Sequence, residues 1–222
     1  MDWAILRGLD EPERRAVLAG TARRRFRSGD SLFHQGDLAD SLHLLDKGHV
    51  AIRIVNRRGD TFTLDVLSPG TAFGEQGLLD ERARRTAAAV AIGPVETRQL
   101  QRDDFVALQR AHPSVTTVLV ELLAAQVRRL SDQLVDAHTM TAEDRVVKQL
   151  ARLAASFAEG GAATVPLTQE ELASLAGTTR PTANRALQRL VDHEVLARRR
   201  GRVEVLDADR LLSGFRSTGG GG

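Results

Sequence analysis

Between Phe73 and Ala87 the chain reads FGEQGLLDERARRTA, and these fifteen residues hold two glycines, a lone glutamate ahead of an acidic pair, three arginines and a threonine. A glycine turn lets backbone N–H groups approach an anion, and a guanidinium beside it supplies charge-assisted donors. Gly74 followed by Glu75, with Arg85-Thr86 eleven residues after Gly74, therefore suits a small molecule that carries both hydroxyls and a phosphate. The same residues also suit a solvated surface loop whose charges satisfy one another. Arg82 and Arg84 fit that second role, in solvent or paired with Asp80 and Glu81.

A second stretch carries different chemistry. In LTQEELASLAGTTRPTANRALQRL, residues 167–190, Thr168 and Glu171 have the spacing of a capping box. Leu172 and Leu175 give the first helix an apolar face, and Gly177 suits the left-handed residue that ends it. Thr179 then opens a second helix with Pro181 in its first turn, while Ala183, Ala186, Leu187 and Leu190 turn inward. The pattern is a helix-turn-helix, and its second helix points Arg180, Asn184, Arg185 and Arg189 away from the apolar face. Arginine offers a bidentate fork to guanine, and the start of such a helix reaches base edges in the major groove of duplex DNA. Past it, VLARRRGRVEVL (residues 195–206) reads as a basic hairpin turning at Arg200-Gly201, suited to phosphates; an edge hairpin charged against aggregation is the competing reading.

The elements that must position these residues follow from periodicity. Asp10, Pro12 and Gly20 bracket a helical segment over residues 2–20. From Phe26 to Leu100 short alternating runs such as Val50/Ile52/Ile54 and Phe62/Leu64/Val66 are punctuated by glycines, the signature of an antiparallel β-roll. Asp103 opens a helix, Pro113 interrupts it, and a long helix spans residues 114–138. Thr116, Val120, Leu123, Val127, Leu130, Leu134 and Ala137 fall at steps of four and three along it, a heptad seam. A two-fold homodimer is the economical use of that seam, and docking on the chain's own β-roll is the other. Thr141 with Asp144 restarts the chain as a new helix, which fades into a loop at residues 159–163.

Composition narrows the classes. Lys+Arg number 31 against 29 Asp+Glu, yet residues 180–202 hold seven arginines and two acids, so positive charge gathers where a polyanion would bind. The absence of cysteine excludes disulfides, Cys-type zinc sites, iron–sulfur clusters and thiolate-ligated haem. No apolar run approaches the roughly 20 residues of a membrane span, and MDWAILRGLDEPERR lacks the apolar core of a signal peptide, so a cytoplasmic protein without a membrane partner is expected.

A β-roll, a long pairing helix and a winged helix-turn-helix in this order resemble the cyclic AMP receptor protein (Crp/Fnr) family of bacterial transcription regulators. The resemblance runs from about Leu18 to Leu206 and rests on GEQGLLDERARRTA and TQEELASLAGTTRPTANRAL. It implies an α+β fold, with a jelly-roll-like cyclic-nucleotide-binding domain over residues 1–112 and a dimerisation helix and hinge over 113–140. A winged helix-turn-helix domain would occupy 141–218, ahead of a glycine tail at 219–222.

The implied effector is cyclic AMP, acting allosterically without a metal. Glu75 would accept from the ribose 2′-hydroxyl, Arg85 would pair with the cyclic phosphate, and Thr86 would add donors, with Gly74, Gln76 and Ala87 completing the cassette. Leu130 and Ser131 stand where a well-known cyclic AMP binder of the family has threonine and serine on adenine. That aliphatic residue, and a threonine at 86, leave cyclic GMP open as effector.

The implied DNA contacts, on a palindromic duplex, are Thr168, Gln169, Thr179, Arg180, Pro181, Thr182, Asn184, Arg185, Arg189 and Arg200. Pro181 replaces a glutamate that commonly accepts from cytosine, so looser discrimination at that base pair is implied. RNA polymerase is implied as a partner by the resemblance alone. Two other readings fit the residues: a regulator of the same fold that needs no ligand, and, more remotely, a cupin-type metal enzyme using His34, His43 and His49.

Overall fold

A computed structural model of the chain describes residues 3–78, 82–159 and 162–213. The expected helix over residues 2–20 is two pieces. Trp3, Ile5, Leu6 and Leu9 are all buried, and Ala4–Leu6 forms one 3-10 turn pinned by Trp3 Nε1 donating to the Leu45 carbonyl. Helix α1 (Glu11–Gly20) begins only at Asp10, where a reciprocal capping box with Glu13 supplies the orphan N–H partners.

The antiparallel roll follows: β1 (Ala22–Phe26), β2 (Ser31–Phe33), β3 (Ser41–Val55), β4 (Thr61–Leu67), β5 (Ala72–Phe73) and β6 (Ala88–Gln101). The main sheet runs β1-β6-β3-β4, with β2 paired to β6 and β5 to β3. Two long strands thus form its spine, and their inward residues build two clusters. One gathers Leu45, Val50, Phe73, Ala89, Ala91 and Val95. The other joins Leu42, Leu44 and Leu100 of the strands to Phe105 of α2 (Arg102–Ala111) and to Val115 and Leu119 of α3 (Ser114–Thr139).

Helix α3 therefore docks through Val115 and Leu119, with Leu122 and Leu123 packed alongside, and only Leu123 belongs to the heptad seam. Val120, Val127, Leu130 and Leu134 of that seam remain exposed.

The chain divides into two compact units, and the break falls inside α3 between Ser131 and Asp132. Beyond it come α4 (Ala142–Ser156), β7 (Ala158–Glu159), β8 (Ala162–Val165), α5 (Gln169–Leu175), α6 (Arg180–Asp192), β9 (Leu196–Arg199), β10 (Arg202–Val205) and α7 (Ala208–Ser213). Of the loop expected at 159–163, Glu159 belongs to β7 and Ala162 and Ala163 to β8, while residues 160–161 lie outside the described residues. Ala158 pairs with Ala163, and β8 then pairs with β10, a long-range register that small residues do not announce. Among the described residues no helix is long and apolar enough to cross a membrane. The glycine tail lies outside the described residues.

Candidate effector and nucleic-acid sites

In the first unit β5 ends at Gly74, whose φ is +87°, a conformation that favours glycine. A Cβ built there would stand 2.6 Å from Nη1 of Arg85, so a side chain at 74 would push that guanidinium out of its seat. Glu75 opens the following 3-10 turn. The Arg85 main chain is clamped on both sides, its N–H donating to the Asp37 carbonyl (2.8 Å) and its carbonyl accepting from Gly36 (2.8 Å).

The Arg85 side chain points into the protein and is 6% exposed. Nη2 donates to the Ser41 carbonyl (2.7 Å) and hydroxyl (3.1 Å), Nη1 donates to the Gly74 carbonyl (3.1 Å), and Asp40 lies 3.8 Å away. The guanidinium carbon sits 4.2 Å from the Phe33 ring centre, in cation–π range. Its Nε has no hydrogen-bond partner among the described residues. Burial draws the pKa of Arg85 down, and Asp40, Asp37 and Glu75 oppose the change. For Glu75 burial pushes the carboxyl pKa up, against the backbone N–H groups of Glu75 and Gly74 and the charge of Arg85.

The site thus brings together Gly74, Glu75 and Arg85. Ser41, Phe33 and Asp40 are additions that no local signal marked, since they arrive through strand pairing. Thr86 is exposed and Ala87 half-buried as the chain enters β6. The side chain of Gln76, with Asp80 and Glu81, lies outside the described residues. Arg84 donates to the Gly36 carbonyl (2.9 Å) and so braces the cassette. Leu130 is exposed, and the Ser131 hydroxyl donates to the Val127 carbonyl (3.0 Å), so neither joins the hydrogen-bonded cluster around Arg85. One residue before them, Arg129 is ion-paired with the buried Asp65 of β4.

In the second unit the helix-turn-helix forms from its local signals. Thr168 and Glu171 make the reciprocal capping box of α5, and Gly177 takes φ +58°. Thr141 accepts from the Asp144 N–H (3.2 Å) and starts α4. Thr179 departs from expectation: it stands at the N-cap of α6, but its hydroxyl bonds that of Thr182 (3.1 Å) instead of capping. Ala183, Ala186 and Leu187 are buried, which leaves Arg180, Pro181, Asn184, Arg185 and Arg189 outside.

The β9–β10 hairpin turns at Arg200-Gly201 as expected. Thr168, Gln169, Arg180, Arg198, Arg200 and Gly201 line an open cleft of about 310 Å³ between the hairpin and the helix starts. With its amide oxygen turned toward Arg198, Gln169 accepts from that guanidinium, which also donates to Gln188 (3.2 Å). Arg185 donates to Thr182 Oγ1 (3.2 Å). Arg185 and Arg189 also share Glu143 of α4, a contact that spacing did not reveal.

Residues 23–112 match the cyclic nucleotide-binding domain family, and residues 144–213 match the Crp-like helix-turn-helix domain family. A Cyclic AMP receptor protein of Thermus thermophilus is 36% identical over 207 residues, 93% of this chain and 94% of its own. The chain belongs to the Crp/Fnr family. A CRP-like cAMP-activated global transcriptional regulator of Mycobacterium tuberculosis is 34% identical over 84% of both chains. The crystal structure of a Thermus thermophilus catabolite activator protein matches at 35% identity, covering 95% of this chain and 97% of its own, with a TM-score of 0.55.

This Crp/Fnr protein is accordingly a cyclic-nucleotide-binding transcription regulator with a DNA-binding helix-turn-helix, and such regulators are not enzymes. The cupin alternative is thereby corrected. Of the three histidines it invoked, His43 is committed to the roll interior, its ring 5.3 Å from that of Phe73 and 5.7 Å from that of Phe33.

Proposed function

We propose that this regulator is a homodimer that takes a cyclic mononucleotide, cyclic AMP first among them, on Gly74, Glu75 and Arg85, and reads a palindromic duplex with two copies of α6. The observation that carries this reading is the buried guanidinium of Arg85, held by neutral carbonyl oxygens, with a partly exposed ion pair to Asp40 and an Nε that has no hydrogen-bond partner among the described residues. A cyclic phosphate brings a full negative charge to such a donor, and a charge-assisted bond is stronger than the neutral ones it displaces. Glu75 accepts from the ribose hydroxyl at the same mouth, while Thr86, Ala87 and Gln76 complete the cassette. The names of two relatives, a cyclic AMP receptor protein and a cAMP-activated regulator, support adenine.

Cyclic GMP is the second reading, because exposed, aliphatic Leu130 offers no hydroxyl to a base and Thr86 supplies one elsewhere. The dimer reading is supported by the exposed α3 seam, and the DNA reading by the outward face of α6 with Thr168, Gln169, Thr179, Thr182 and Arg200 nearby on phosphates. Nucleotide binding shifts the population toward an arrangement with both α6 helices about 34 Å apart, one helical turn of duplex. Activation then engages RNA polymerase, as the family expectation has it.

Calorimetric titration with cyclic AMP and cyclic GMP tests the effector site. The wild-type chain is expected to bind one of the two, and Arg85→Ala to weaken it by roughly 10- to 100-fold, the worth of a charge-assisted hydrogen bond. Heat from neither nucleotide, or an unchanged affinity in Arg85→Ala, overturns the assignment.

A further inference from the structure

Glu143 lies in the first turn of α4, the helix against which α6 packs. Its carboxylate receives Arg189 Nη1 at 2.6 Å and stands 3.6 Å from Arg185 Nε, so one acid is shared by two guanidinium groups a helical turn apart. Arg185 is held a second time, by Nη2 donating to Thr182 Oγ1. Both arginine side chains are two-thirds exposed, whereas that of Glu143 is 28% exposed, so the acid sits behind them and they form the outer layer. Neither pair is needed to hold α4 and α6 together, since Val146 and Leu150 of one and Ala183 and Leu187 of the other are fully buried.

We infer that Glu143 is a specificity-determining residue for DNA: it withholds Arg185 and Arg189 from the phosphate backbone while leaving the outer edge of Arg185 aimed at a base. Glu143 stands at Nε of Arg185 and Thr182 Oγ1 at Nη2, so both partners take the Nε/Nη2 side of the guanidinium and leave Nη1 without a partner among the described residues. A guanidinium so held meets guanine end-on without leaving its partners. To reach a phosphate on an arbitrary sequence it must swing aside and give up Glu143. The same exchange applies to Arg189, whose shorter pair faces Glu143 directly. Non-specific binding depends almost wholly on phosphate contacts, so an internal anion opposes it more than it opposes operator binding. Exposed ion pairs contribute little individually, and two of them on one acid correspond to a discrimination of about 2- to 30-fold.

This inference rests on α6 being the DNA-reading helix, and the test separates the two. The wild-type chain, Glu143→Gln and the charge control Asp209→Asn are titrated by fluorescence anisotropy, with the nucleotide present. The duplexes are an operator recovered by binding-site selection and a random-sequence duplex, each over a salt series. Glu143→Gln is expected to tighten the random duplex about 3- to 10-fold at low salt, with the salt slope steeper by about one unit. Operator affinity moves by less than about twofold, so the operator-to-random ratio falls. In an Arg189→Gln background the effect of Glu143→Gln on the random duplex is expected to shrink, because the two residues share one interaction.

Equal tightening on both duplexes, an effect matched by Asp209→Asn, or an unchanged ratio overturns the role of Glu143 and leaves the DNA reading standing. A wild-type chain that binds neither duplex overturns both. Equal denaturation midpoints for Glu143→Gln and wild type confirm that the fold is not what changed.

Discussion

His43 shows what burial does to a single residue. The ring is 3% exposed between Phe33 and Phe73, with Nδ1 3.2 Å from Thr97 Oγ1. Burial first, and the charge of Arg85 second, bring its pKa from 6.5 down to about 4. The unfolded chain takes up that proton near 6.5, whereas the folded protein resists it until about 4. Its contribution to stability is therefore complete above about 6.5 and is lost as pH falls toward 4, by roughly 3 kcal/mol in all. Glu75 has the opposite sign: its raised pKa means that stability is lost as pH rises through it. In His43→Phe the urea midpoint is expected to change less between pH 7 and pH 4.5 than in wild type, and equal slopes would show that the ring does not govern the acid limb.

At the scale of elements, α3 carries two apolar stripes with different uses. Val115 and Leu119 are buried against the roll, while Val127 and Leu134 are each 62% exposed. Burying one such side chain fully contributes about 1.5–3 kcal/mol, and a two-fold partner buries each twice, once from either helix. Four of them left in water along one seam support the proposal that this surface pairs. Val127→Glu places two like charges at the centre of that seam. We expect it to convert the protein to monomers at micromolar concentration, measured by sedimentation velocity, and to lose most affinity for a palindromic duplex. A dimer that survives the substitution would show that some other surface pairs the protomers.

At the scale of the whole molecule, the proposed coupling of Arg85 to α6 needs a route. The division into units falls at Ser131, yet α3 continues to Thr139, and side chains tie its lower end to the DNA-reading unit. Asp136 pairs with Lys148 of α4 at 2.5 Å. Arg145 donates to the carbonyls of Met140, Ala176 and Gly177, joining the hinge to the turn of the helix-turn-helix. The proposed coupling would run along α3 and through these contacts to α6. Anisotropy titrations of the operator with and without saturating cyclic nucleotide are expected to differ by about tenfold or more, a coupling of about 1.4 kcal/mol. Identical affinities would mean that the ligand binds both states equally and shifts nothing.

The sequence by itself determined the features built by near neighbours. The Thr168–Glu171 box, Gly177 at positive φ, Pro181 in the first turn and the inward alanines specify a helix-turn-helix because capping and helical sidedness act over about four residues. Gly74, Glu75 and Arg85 stand out by residue type within one short stretch, but the bond from Arg85 to the Gly74 carbonyl, across eleven residues, does not follow from that pattern. Only the tertiary structure set Ser41 and Phe33 around Arg85, Asp65 against Arg129, β8 beside β10, and Glu143 behind Arg185 and Arg189. It also wound residues 4–6 as a separate 3-10 turn ahead of the Asp10 cap, with Trp3 and Leu6 buried. Partners far apart in the chain are chosen by strand register and by which face is buried, and those choices are made by the packed whole.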